Sequence, residues 1–312
     1  MKFSIITPSY NMETWIAETI ESILSQAGDF EIEYILSDGG SKDRTVAIFE
    51  EYRTRLERGE IPVKCRGIVM RTFSEKDKGT FDAINKGFSR ATGDIYTWCD
   101  ADNTYIPGAF EGLRKIFEAY PEVQWLKGYS STMDEAGNLM YTKQGGLYRQ
   151  DWLQDGVYGM EAYFVTADTV FWTADLWNKT GPIPDHFRCA GEQWLWRKMA
   201  KITPLWSADL HITCYRKRAG GLSKNISNCK KEQWSIRPRR TLNAWAARLF
   251  FSPQSRLYPK GEKFFLWLYP LLFMQGKKQE YFDFENGKPI KKLAKSFIIG
   301  KHPSYKDITK RV

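Results

Sequence analysis

Apolar residues cluster first at 3–7 and again at 31–37, each run ending in turn residues before an apolar spacing of three and four sets in. Short β-rich runs followed by a 3.6-residue period predict βαβ alternation. Asn11 is placed to cap a helix with Trp15, Ile16, Ile20, Ile23 and Leu24 on one face. Ser41 is placed to cap a second with Val46, Ile48, Phe49 and Tyr52. A third strand is expected near Val69, and a third helix over 80–91 with Gly93 as its stop. A strand over 95–99 then runs into Asp100-Ala101-Asp102-Asn103, and Pro107 opens a helix through Phe117. Beyond Val123 the apolar runs shorten, with a hairpin over 135–138 and helices over 174–179, stopped by Gly181, and over 192–201. Strands joined by helices favour a mostly parallel central sheet flanked by helices, with ligands beyond the strand carboxyl ends, where Asp38, Glu75 and Asp100 fall.

Composition narrows this picture. A chain of 312 residues, 42 % hydrophobic, can fill one large α/β domain and carry an appendage. The cysteines at 65, 99, 189, 214 and 229 form an odd set without a CxxC pair. They read as buried or free thiols rather than a disulfide framework or zinc site. Three histidines are too few for an imidazole-built centre, so a bound ion is expected on oxygen ligands. The N-terminus reads as a strand rather than a signal peptide, and no stretch reaches the ~20 apolar residues of a membrane span.

Charge is partitioned along the chain. Residues 237–312 hold 17 Lys/Arg against 5 Asp/Glu, whereas residues 1–236 hold 29 against 32. Within this basic, partly helical tail, residues 264–274 carry ten apolar side chains and Pro270 between Lys260 and Lys263 on one side and Lys277 and Lys278 on the other. That combination suits an anionic membrane surface, with packing on the domain or self-association as rival uses. No nucleic-acid recognition motif accompanies the charge.

The sharpest chemical feature is Asp100-x-Asp102 at a strand end, a pair able to present two carboxylates to Mn²⁺ or Mg²⁺. Alone, it is also what a solvated turn looks like. Taken with SIITPSYNMETWIAETIESILSQ, EYILSDGGSKDRT and SEKDKGTFDAINKGFSRATGD in this order, it resembles the family-two inverting glycosyltransferases of GT-A fold over roughly residues 3–225.

The resemblance implies a catalytic domain over 1–235, with a nucleotide-sugar half at 1–105 and an acceptor half at 106–235, followed by the extension 236–312. It implies that Thr7, Pro8, Ser9 and Tyr10 cradle the nucleobase and that Asp38 accepts from base or ribose beside Gly39-Gly40. Asp77 and Lys78 would lie by the donor sugar and diphosphate, with Asn85 facing the nucleotide. Asp100 would sit near ribose and metal, and Asp102 would bind the metal directly. The base is Glu192 in AGEQWLWR, with Asp185 in reserve; here Glu replaces the commoner Asp, and Gly191 stands where many members carry a second acid. Arg216 and Arg218 would reach phosphate oxygens from the segment 215–223, where relatives often have a histidine near position 218. The aromatic segment 164–177, with Phe171, Trp172 and Trp177, would frame an acceptor or fill the core.

The activity so implied is transfer from a nucleotide-sugar donor, a UDP-sugar, to a glycan or lipid-linked acceptor in bacterial surface-polysaccharide synthesis. The implied location is cytoplasmic, peripheral to the inner face of the cytoplasmic membrane. The alternative is a catalytically weak nucleotide- or glycan-binding member. A sugar-nucleotide pyrophosphorylase needs a Gly-rich basic loop after the first strand, and a dinucleotide oxidoreductase needs GxGxxG there; TPSYNMET is neither.

Overall fold

Strands β1 (Lys2–Ser9) and β2 (Glu31–Asp38) are buried over nearly their whole length, as strands covered on both faces must be. A computed structural model of the chain describes residues 1–142, 145–158, 165–218, 226–236, 279–294 and 298–299. After β1 comes α1 (Ile16–Leu24), after β2 α2 (Thr45–Glu57), and after β3 (Gly67–Ser74) α3 (Thr80–Phe88). Then follow β4 (Ile95–Trp98), β5 (Thr104–Tyr105), α4 (Ala109–Ala119), β6 (Trp125–Met133), β7 (Leu139–Thr142) and β8 (Gly145–Gly146). Next come α5 (Gln150–Gln154), a 3₁₀ turn at Ala167–Thr169, β9 (Val170–Thr173), α6 (Ala174–Thr180), α7 (Gly191–Ala200) and β10 (Trp206–Arg216). The described remainder is α8 (Ile226–Ile236), β11 (Glu280–Glu285), β12 (Lys288–Leu293) and β13 (Ile298–Ile299).

The central sheet runs β12-β11-β10-β6-β9-β4-β1-β2-β3. β1 pairs parallel with β2 and β4, β2 with β3 and β6 with β10, while β9 runs against both β4 and β6. Period-two alternation divides the core. Ile5 and Leu36 join α1, α2 and α4 on one face, and Ile6 and Ile35 join α3, α6 and α7 on the other. The second face is built of indoles: Trp98 stacks on Trp196 at 5.8 Å, and Trp172 meets both Trp98 and Trp196 edge-on. Phe171, Trp172 and Trp177 are therefore core rings, and Phe164 lies outside the described residues. The register aligns Ser9 with Asp38 and Asp38 with Ser74, gathering the loops after β1, β2, β3 and β4 on one edge.

Several local expectations give way to tertiary contacts. Asn11 adopts a left-handed φ of 53° and caps no helix; its amide nitrogen donates to Ser41 Oγ and its side-chain oxygen accepts from Lys42 N. Ser41 likewise serves that loop junction, and Asp43 engages Thr45 at the start of α2. Gly93 N donates to Ser4 Oγ rather than ending α3, and Pro107 precedes α4, which opens after Gly108. The cysteine reading is corrected too. Cys189 and Cys229 are joined across 40 residues, while Cys65, Cys99 and Cys214 are free thiols. Partners that meet only through folding leave no spacing signal.

Part of the basic extension packs on the domain. The β11–β12 hairpin joins β10 where Ala208 aligns with Phe282, and Phe282 is fully buried between Tyr120 and Trp206, at 4.8 and 5.2 Å. β13 pairs with β8. The apolar segment 264–274 lies outside the described residues, and among the described residues no helix is long and apolar enough to cross a membrane.

Candidate active site

At the carboxyl edge, Asp38 is almost wholly buried and accepts five hydrogen bonds. Its donors are Ser9 Oγ at 2.9 Å, Gly40 N at 3.0 Å, Ser41 N at 2.8 Å, Ser41 Oγ, and Ser74 Oγ at 2.7 Å. With every lone-pair direction engaged, this carboxylate organises three loops. That differs from the direct base or ribose contact expected of it. Thr7 is buried beside Tyr34, so only its backbone could serve a ligand, and Pro8 is buried in the strand. Tyr10 by contrast is 58 % exposed, a free ring face at the lip of the edge. Asp77 packs its carboxylate on Gly39, where an added Cβ would come within 2.5 Å of Oδ2, and it accepts from Gly79 N at 2.8 Å. Gly39 is thus required by close approach. Asn85 does not offer its amide to a nucleotide: Nδ2 donates to Ile183 O at 2.6 Å and Oδ1 accepts from Ile183 N at 2.9 Å.

The turn after β4 carries the acids. Cys99 N bonds to Ile6 O at 2.9 Å and Asn103 N closes the turn on Asp100 O at 3.1 Å, leaving Asp100 exposed and Asp102 8 % exposed. Asp100 is pushed up to about 7 by the surrounding protein and then by the negative charges of Asp102 and Asp168, against the pull of Arg218. Water reaching the exposed carboxyl offsets part of that push. Asp168 joins these acids without any mark in the sequence. It sits buried in the 3₁₀ turn before β9, with Asn103 Nδ2 donating to its Oδ2 at 3.4 Å. An acid in a turn before an apolar strand carries no local signal of its role.

The two arginines diverge. Arg216 is 1 % exposed and its fork is occupied: Nε on Asp102 O at 3.0 Å, Nη1 on Glu135 O at 2.9 Å, and Nη2 on the Glu18 carboxylate. Its backbone N donates to Asn103 Oδ1 at 2.9 Å. The expectation that Arg216 reaches phosphate is corrected: it clamps the acidic turn from behind, tying it to α1 and to the β6–β7 hairpin. Arg218 points into the site, with Nε on Asp102 Oδ2 and its guanidinium 4.9 Å from the Trp15 ring centroid. Residues 219–223 of that expected segment lie outside the described residues.

Two acids compete for the base. Asp185 pairs with Lys78 Nζ at 2.7 Å, and that lysine holds its carboxyl below the usual range. Lys78 is thereby a partner of Asp185 as well as a candidate for phosphate. Glu192, in the first turn of α7, is pushed well above the usual range by burial and then by Asp100 and Asp168, with partial relief from the Ala167 amide. Of the two, Glu192 is the carboxylate whose proton affinity is raised, as suits a general base. Its placement has a cause: Glu232 of α8 accepts from Arg188 N, Cys189 N and Ala190 N at 2.8–3.1 Å, fixing the entry to α7. Gly191 is tight, since a Cβ there would lie 2.7 Å from Ile183 and 2.8 Å from the Phe81 ring, so a second acid before Glu192 has no room.

The family model for glycosyl transferase family 2 matches residues 4–169, more than half of the chain. The chain belongs to this family. An uncharacterized glycosyltransferase of Rickettsia typhi is 23 % identical over 205 residues, 65 % of this chain and 60 % of that one. Hyaluronan synthase of Streptococcus pyogenes is 32 % identical over 117 residues, 37 % of this chain and 26 % of the synthase. The chain thus spans less than two thirds of these family 2 relatives. Among solved structures, S. aureus TarS 1-349 in complex with UDP-GlcNAc superimposes with a TM-score of 0.56 at 16 % identity, over 96 % of this chain and 99 % of that one. The fold is GT-A, as the resemblance implied.

Proposed function

We propose that this chain is an inverting glycosyltransferase that moves a sugar from a UDP-sugar to a hydroxyl of a glycan or lipid-linked acceptor. The carrying observation is the convergence of Asp100 and Asp102 with Glu192, a carboxylate of raised proton affinity, beyond the carboxyl ends of the strands. Glu192 takes the proton of the acceptor hydroxyl as its oxygen bonds to the anomeric carbon. The bond from that carbon to the β-phosphate oxygen breaks, and its electron pair leaves with the nucleoside diphosphate, inverting the centre. Tyr10 supplies a stacking face for the base, and the loops held by Asp38 supply backbone groups to its edge.

The donor set fits a hard divalent cation, Mn²⁺ or Mg²⁺. The acids around Asp100 create a demand for positive charge that the Arg218 guanidinium already answers at Asp102. Among the described residues no three His, Cys, Asp or Glu groups are arranged to enclose a metal. Asp100 and Asp102 would therefore hold the ion and leave its other positions to diphosphate and water, the division such cations favour. When bound it neutralises charge developing on the leaving group. The structure of TarS with UDP-GlcNAc and the kinship to hyaluronan synthase support a UDP-sugar and a polysaccharide role. Peripheral attachment to an anionic leaflet belongs to the same proposal, supported by the charge excess over 237–312 and the basic-flanked segment 264–274.

The test is release of UDP from a panel of UDP-sugars with Mn²⁺ and oligosaccharide or lipid acceptors. Turnover lost in both Asp102→Ala and Glu192→Gln is expected. No turnover by the native chain with any donor, alongside retained UDP binding, would favour the binding-only alternative.

A further inference from the structure

Arg218 and Arg216 leave the same strand end two residues apart, yet they are held very differently. Arg216 is itself buried and engaged on every side of its fork. Arg218 keeps 23 % of its side chain exposed, and its described contacts are the Asp102 carboxylate, the face of Trp15 and the Met12 sulfur at 3.7 Å. A thioether and a ring face are weak, non-directional partners for a guanidinium. Only the Asp102 contact is strong, and Asp102 is the carboxylate the proposed cation needs. Met12 and Trp15 both belong to the segment that follows Tyr10, so this guanidinium bridges the nucleotide side and the acidic side of the site.

We infer that Arg218 is an exchangeable counter-ion of Asp102, which a divalent cation must displace and a diphosphate then receives. This rests on the functional reading above and deepens it. Two positive groups cannot share one partly buried carboxylate without loss, so Arg218 opposes the ion when no nucleotide is present. A diphosphate reverses the sign, because it offers the displaced guanidinium a bidentate partner. Ion and nucleotide then bind cooperatively, each raising the affinity of the other by the same factor. The arrangement discourages a stable ion complex without donor and makes donor arrival the event that completes the site.

Mn²⁺ binding to the full chain, measured by electron paramagnetic resonance with and without UDP, tests this apart from turnover. The native chain should bind Mn²⁺ more tightly with UDP than without. Arg218→Ala should bind Mn²⁺ alone on the order of ten-fold more tightly than the native chain, bind UDP more weakly, and lose most of the mutual enhancement. Arg218→Gln, which keeps the bulk over Trp15, should do the same and serves if the alanine variant does not fold. Equal or weaker Mn²⁺ binding by a folded Arg218 variant overturns the inference and leaves the functional reading intact. A native chain that binds no Mn²⁺ with or without UDP overturns both.

Discussion

Glu192 and Asp185 show how two carboxylates near one cleft are separated by their neighbours rather than by their type. Asp185 has a lysine, whereas Glu192 has burial and then two acids, so their proton affinities move in opposite directions. The arm of the activity profile that reports the base should therefore lie at higher pH than a solvated carboxylate, with kcat/KM rising through it. Glu192→Gln should remove that arm and lower kcat by about 10²–10⁴-fold, while Asp185→Asn should leave the arm in place. The same burial carries a stability consequence. A carboxyl whose folded pKa exceeds its unfolded one favours the folded state fully at low pH and loses that advantage as pH rises through the folded value. Without divalent cation, Glu192→Gln should thus melt higher than the native chain at pH 7.5, with the difference shrinking at pH 5. A lower melting point at pH 7.5 would place Glu192 in a compensated setting and remove the physical case for it as base.

At the scale of elements, the four strand-end loops were legible because apolar runs and turn residues mark strand ends whatever the partners are. How those loops are held was not. Asn11 and Ser41 both look like helix caps, and each instead meets the other's loop some thirty residues away. Arg216 looked like a phosphate ligand because an arginine beside an acidic turn has that chemistry; only packing shows that β10 turns it inward. Removing it leaves the Asp102 and Glu135 carbonyls without their donor while the exposed Glu18 carboxylate turns to water, so Arg216→Met should cost about 1–3 kcal/mol of stability by denaturant unfolding. It should also weaken Mn²⁺ binding by loosening the turn, opposite in sign to the effect expected at Arg218. Should Arg216→Met strengthen Mn²⁺ binding, the clamp assigned to it would be mistaken.

At the scale of the molecule, the basic tail is where sequence and structure part most. Its charge sum describes residues 237–312 as one body, but β11 and β12 extend the sheet and tie down much of their own charge. Lys291 pairs with Glu122 at 2.6 Å and lies over Tyr120, Trp206 and Phe282, and Lys292 pairs with Asp283 at 2.8 Å. A hairpin of alternating lysines and apolar residues reads as amphipathic surface until the strand it covers is known. Deleting the whole tail would therefore confuse two effects, uncovering the β10 edge while stripping charge. Two smaller changes separate them. Phe282→Ala opens a cavity between Tyr120 and Trp206 and should cost about 3–5 kcal/mol, read by thermal unfolding, with little change in cosedimentation with anionic vesicles. Reversing Lys260, Lys263, Lys277 and Lys278 to Glu should abolish cosedimentation, since each basic residue near such a surface contributes about 1 kcal/mol, and leave unfolding unchanged. If the reversed chain still binds vesicles, the attachment is not electrostatic; if it unfolds early, those lysines belong to the fold and the membrane reading of the tail fails.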